Sequence, residues 1–141
     1  MANIFWDTNL FIYLVEDEGP RSERVAEMWN GMRERGDRLY TSALAVGELL
    51  VLPARTGARD LEQEYIRIFR SSAITVVPFD LRTAPLYARI RADASLRPPD
   101  AIQLACAASA EVDLFITNDE RLSRKRVPEI KFITSLDRAP V

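Results

Sequence analysis

The sequence predicts an α/β domain built on a central, mostly parallel sheet of about five strands with helices on both faces. Short apolar runs alternate with segments of helical period in the order β-α-α-β-α-α-β-α-α-β-α-β, and strands separated by helices pair in parallel. The 141 residues, 48% hydrophobic and 28% charged, suit one globular domain with a real core. No repeat, low-complexity tract or linker divides them, so residues 1–141 read as a single domain.

Ile4-Phe5-Trp6 forms the first strand, because these residues favour a pleated, buried environment. It ends in Asp7, and a helical pattern begins at Thr8 or Asn9 and runs through Leu10, Phe11, Tyr13 and Leu14. Asp17-Glu18-Gly19-Pro20 is a turn, with Pro20 suited to the first position of a helix over 21–35. Its apolar set, Val25, Met28, Trp29 and Met32, has helical spacing. Leu39-Tyr40-Thr41 is the second strand, and Ser42 caps the helix that follows. That helix, to about Leu52, is apolar nearly all round and is expected to be buried, with Glu48 as its one charge. Gly47 beside it hints at close approach of another group.

Gly57 and Asp60 open a helix to Arg70, with Leu61, Tyr65, Ile68 and Phe69 inward. Residues 74–79 make a strand stopped by Pro78, and the next helix, with Pro85 in its first turn, runs to about Ser95. Pro98 and Pro99 lead into an Ala- and Leu-rich helix from Asp100 to Ala110. Residues 112–117 are a strand that ends in Asn118-Asp119, residues 120–123 one helical turn, and residues 130–134 the last strand, with a loose tail beyond.

The chain has no histidine and one cysteine, which removes His-dependent nucleophilic catalysis and His- or thiolate-ligated zinc. A metal here must be held by oxygen, which points to Mg²⁺ or Mn²⁺ before Ca²⁺. Net charge is −2, yet setting aside four acids as metal ligands leaves 17 against 19 bases, 17 of them Arg. Arginine binds phosphate in a bidentate manner that lysine does not match. Cys106 lies in an apolar helical run and reads as packing. Trp6 and Asp7 interrupt the one N-terminal apolar run, and no run approaches the roughly 20 residues that span a bilayer. The expected compartment is the cytoplasm, without a membrane partner.

Asp7, Asp100 and Asp119 each stand at a strand end or helix start, and Glu48 is isolated in an apolar helix. Singly, the aspartates read as helix caps and Glu48 as one half of a structural ion pair. Together, the carboxyl edge of a parallel sheet would gather them where open α/β sheets bind ligands. Their mutual repulsion then calls for a divalent cation, which suits in-line hydrolysis of a phosphodiester. Arg121, Arg124, Lys125 and Arg126 follow Asp119 directly, as either a solvated face or a phosphate-binding rim. Asn9 stands where a phosphatase of the haloacid dehalogenase type needs a second Asp, and neither Gly-x-Gly-x-x-Gly nor a P-loop is present.

Asp7-Thr8-Asn9, Glu48 in its apolar helix, Pro99-Asp100-Ala101-Ile102-Gln103-Leu104-Ala105 and Phe115-Ile116-Thr117-Asn118-Asp119 together resemble the PIN domain, and most of all the VapC-type toxins of VapBC toxin–antitoxin systems. The resemblance spans roughly residues 4–133. It implies a PIN-like fold and Mg²⁺-dependent endoribonuclease activity, with Mn²⁺ as a substitute, directed at tRNA or rRNA. It also implies a homodimer held inactive by a VapB-type antitoxin. Carried over by position, Asp7, Glu48, Asp100 and Asp119 are the catalytic metal cluster, and Asn9 and Thr117 its polar supports. Arg97, Arg121, Arg124 and Lys125 are the expected RNA contacts. Phe11, Tyr13, Leu14, Trp29 and Met32 are expected to present a surface for self-association and for the antitoxin. The alternatives are a non-catalytic PIN-like module that binds RNA or protein, and an RNA-processing nuclease outside a toxin–antitoxin pair.

Overall fold

The structure, a computed structural model, describes residues 1–16 and 19–141. Of the turn expected at Asp17-Glu18-Gly19-Pro20, the first two residues therefore lie outside the described residues. In order the elements are β1 (Asn3–Trp6), α1 (Thr8–Val15), α2 (Pro20–Arg35), β2 (Arg38–Ser42), α3 (Ala43–Thr56), α4 (Arg59–Arg70), β3 (Ile74–Val77), α5 (Thr83–Ile90), α6 (Pro98–Ser109), β4 (Leu114–Thr117) and β5 (Phe132–Ser135), with a 3-10 turn at Leu122–Arg124.

All five strands are parallel, in the order β3-β2-β1-β4-β5. β1 is central: Ile4 lies opposite Leu39 on one side and Leu114 on the other, and Trp6 opposite Ile116. Alternation along the strands sends side chains into two cores. Ile4, Trp6, Leu114 and Ile116 pack with Leu10, Phe11, Val25, Met28, Met32, Leu49 and Tyr65 from α1 to α4. Phe5 and Phe115 face the other way, against α6 and Ile90 of α5. Their rings stack at 5.0 Å with 9° between planes, an arrangement worth about 0.5–1.5 kcal/mol beyond area burial. Helices on both faces of a parallel sheet are what the order of elements predicted.

Several local expectations are corrected. α3 runs on past Pro53 to Thr56 and stops at Gly57, which takes the left-handed conformation at φ 71°. Nor is α3 buried all round. Its buried residues are Ala45, Leu49 and Pro53, while Glu48, Val51 and Leu52 are exposed. The close approach expected at Gly47 is absent: a Cβ built there meets nothing within 4 Å. α5 ends at Ile90 rather than Ser95, because Asp93 accepts bonds from the backbone N and hydroxyl of Ser95 and so closes a local turn that competes with the helix.

The tail is docked, not loose. Leu136 and Ala139 are buried in the α1–α4 core, and Arg24 donates to the carbonyls of Ala139 at 2.8 Å and Val141 at 3.0 Å. Phe11 and Met32, expected at an interface, are fully buried. Tyr13, Leu14 and Trp29 are partly buried against the same core, with Trp29 edge-on to Trp6. Among the described residues no helix is long and apolar enough to cross a membrane.

Candidate active site

Asp7 is positioned from three directions at the carboxyl end of β1. The Thr8 backbone N donates to Oδ1 at 2.8 Å, the N-cap expected from sequence. Thr117 Oγ1, at the end of β4, donates to Oδ2 at 2.7 Å. Gln103 Nε2, from α6, reaches Oδ1 at 3.3 Å. All three donors are neutral. Burial pushes the Asp7 carboxyl above the usual carboxylate range; the Thr117 and Thr8 hydrogen bonds pull it back, and the negative charges of Asp100 and Glu48 raise it further.

Gln103, only 2% exposed, joins the parts of the site. Its Nε2 also donates to Thr8 Oγ1 at 3.0 Å, and Thr8 Oγ1 in turn donates to Glu48 Oε1 at 2.7 Å. Its Oε1 accepts from the hydroxyl of Ser42, which itself caps α3 by accepting from the Ala45 backbone N at 3.0 Å. One amide thus fixes the ends of β1 and β2 and the outward-facing carboxylate of α3. Sequence reasoning gave Gln103 no role. The signal was a lone amide in an otherwise apolar helix, where a buried polar side chain requires partners.

Glu48 is exposed, contrary to expectation, and pairs with no arginine among the described residues: α3 turns it toward solvent and toward Thr8. Asp100, at the first turn of α6, and Asp119, after β4, face a cleft of about 290 Å³ together with Arg121, Arg124 and Lys125. Asp119 Oδ1 accepts from the backbone N of Arg121 at 2.9 Å, and the Asp119 N donates to Thr117 Oγ1 at 3.0 Å. Thr117 therefore supports two acids at once. Arg97 lies 3.5 Å from Asp100 and Arg121 3.8 Å from Asp119, both long ion pairs on exposed arginines. Lys125 bonds Asp93 at 2.9 Å and Ser95 at 2.6 Å on the rim. Asn9 is exposed, and no hydrogen bond joins it to the acids among the described residues.

Hydrogen bonds through Thr8 and Gln103 link Asp7 to Glu48, Asp100 and Asp119 share the cleft, and the charge of Asp100 bears on Asp7 as that of Glu48 does. Among the described residues no three acids stand close enough together to hold a metal ion as they are placed. The donor set nevertheless fits a hard cation. It is all oxygen, Asp7 is held by neutral donors alone, and among the described residues no lysine or arginine pairs with Asp7 or Glu48. Asp7, Glu48, Asp100 and Asp119 are the candidate ligands for such an ion.

A five-stranded parallel sheet with acidic side chains at its carboxyl edge places the protein among the α/β proteins with a polar-acid site. The chain belongs to the PIN domain family, whose model matches residues 4–128. No curated protein sequence matches it. Its fold is similar to that of VapBC2 from Rickettsia felis, bound to a promoter DNA fragment (TM-score 0.74, 14% identity, 94% of this chain and 97% of that one). It is similar also to Mycobacterium tuberculosis VapC20, a toxin that cleaves the sarcin–ricin loop (TM-score 0.73, 17% identity, 91% and 98%). DNA-bound VapBC from Salmonella typhimurium matches with TM-score 0.67 and 22% identity over 96% and 99%.

Proposed function

We propose that this PIN domain is a Mg²⁺- or Mn²⁺-dependent endoribonuclease and the toxin of a VapBC-type pair, inhibited by a VapB-type antitoxin. The observation that carries the reading is Asp7: a partly buried carboxylate, close to two further acids, held only by neutral donors. Such a group is stabilised by a cation. Bound there, a divalent ion lowers the pKa of water and neutralises charge on the scissile phosphate. Gln103 and Thr117 hold Asp7 at the carboxyl end of β1, while Arg97 and Arg121 stand where a phosphate can exchange with their long carboxylate pairs. The fold-level similarity to VapBC complexes and to a toxin that cleaves the sarcin–ricin loop supports an RNA substrate, taken here as tRNA or rRNA, and an antitoxin as partner. A homodimer in the cytoplasm belongs to the same reading.

The test is cleavage of total tRNA and rRNA by the antitoxin-free protein, with sequencing of the cut ends. Cleavage is expected with Mg²⁺ or Mn²⁺ and should stop with EDTA. Activity that persists in EDTA overturns the metal mechanism, and absence of cleavage with either ion overturns the nuclease.

A further inference from the structure

A second cleft, about 700 Å³, lies between the segment after Asp119 and the edge strand β5. Arg124, Lys125, Arg126, Lys131 and Phe132 line it, and no acid does. Lys125 and Lys131 are paired with Asp93 and Asp113, but among the described residues no carboxylate pairs with Arg124 or Arg126. Phe132 is 70% exposed, the aromatic ring most open to solvent, at the start of a strand whose outer edge pairs with nothing in the sheet. Arg124 and Lys125 also line the acidic cleft of Asp100 and Asp119, so the two clefts adjoin.

We propose that this cleft binds a single-stranded flank of the RNA, with Phe132 stacked on a base and Arg124, Arg126 and Lys131 on phosphates. Proteins that hold single strands combine a cationic groove with an aromatic platform, because every base offers a π-face. Arg124 and Lys125 carry the strand from the acidic cleft to the ring. This rests on the ribonuclease reading of the acidic site.

The experiment measures binding of a 5′-fluorescein-labelled oligouridylate of twelve nucleotides to the full chain in EDTA, where no cutting is expected, as a function of salt. Phe132→Ala is expected to weaken binding about tenfold, and Phe132→Tyr to restore it. Arg126→Ala with Lys131→Ala is expected to lower the slope of log K against log salt by about 1.4, the value for two single-strand phosphate contacts. Unchanged affinity in Phe132→Ala and an unchanged slope in the double variant overturn the proposal. So does a labelled oligoglutamate that depends on Phe132 when oligouridylate does not, which would assign the cleft to an acidic peptide strand. Cleavage of the same oligonucleotide with Mg²⁺ is scored separately. Binding that needs Phe132 without cleavage sinks the nuclease reading and leaves the cleft, whereas cleavage with binding indifferent to Phe132 does the reverse.

Discussion

Gln103 reaches across from α6 to the end of β1 and places its Nε2 3.3 Å from Asp7 Oδ1, while its other amide atom accepts from Ser42 at the end of β2. A glutamine at this point can satisfy both partners because it carries a donor and an acceptor on one planar group.

Gln103→Leu should separate the two roles of that amide. Three hydrogen bonds are lost and the Ser42 hydroxyl is left buried, so stability should fall by about 1–3 kcal/mol. Side chains that orient metal-binding carboxylates are typically worth about 10–100-fold in metal affinity or activity. Cleavage should therefore drop by that factor, and the Mg²⁺ concentration for half-maximal activity should rise. A lower melting temperature with an unchanged Mg²⁺ dependence would make Gln103 a purely structural residue.

Arg121, Arg124 and Lys125 rim the cleft that holds Asp100 and Asp119. Changing all three to Ala should weaken RNA binding and lower its salt slope by about 2, given roughly 0.7 per single-strand phosphate contact. Lys125 already bonds Asp93 and Ser95, so its single change should matter least for RNA. Equal binding of wild type and triple variant at two salt concentrations would return the cluster to a solvated face.

Arg24→Ala tests the docked tail. It removes two charge-assisted hydrogen bonds to the carbonyls of Ala139 and Val141. The expected loss is about 1–2 kcal/mol, since the guanidinium is only partly buried. Amide hydrogen exchange over Leu136–Val141 should quicken more than exchange in β1. Uniform change across the chain would mean the tail is no separate unit.

The sheet was legible because each strand is a short run, β1, β2 and β3 are each followed by helices, and β1 and β4 lead directly into the acids that mark the site edge. The burial of Glu48 was misread. An apolar helix looks buried in composition, but α3 leaves Val51 and Leu52 in solvent, and sequence period alone does not report which face a neighbouring surface covers. The tail was misread for the opposite reason. Leu136 and Ala139 are two apolar residues in a polar stretch, and Arg24, their clamp, lies far away in the sequence.

Asp7→Asn should abolish cleavage yet stabilise the metal-free protein. Thr8 N and Gln103 Nε2 both donate to Oδ1, so the amide oxygen of Asn must take that place and its NH₂ must face Thr117. The Thr117 hydroxyl can accept from it, at the loss of its own donated bond. Against that loss stands removal of a buried charge close to Asp100 and Glu48. A net gain of about 1 kcal/mol is expected near neutral pH. The pH dependence has a definite sign. The folded pKa of Asp7 lies above the ordinary aspartate value of 3.8, so the folded state binds this proton more tightly than the unfolded state. The wild type therefore carries the cost of the charge above the folded pKa and sheds it as pH falls through that value toward 3.8. Asn does not titrate, so its advantage in EDTA should be largest at neutral pH and shrink on acidification. With Mg²⁺ at 100 times its dissociation constant, the wild type should gain about 2.7 kcal/mol by linkage and the variant much less, which reverses the order. Melting curves of both proteins, in EDTA at two pH values and in Mg²⁺, decide the matter. If Asp7→Asn melts below wild type in EDTA at both pH values, the hydrogen bonds outweigh the charge and Asp7 is held chiefly as the cap of α1.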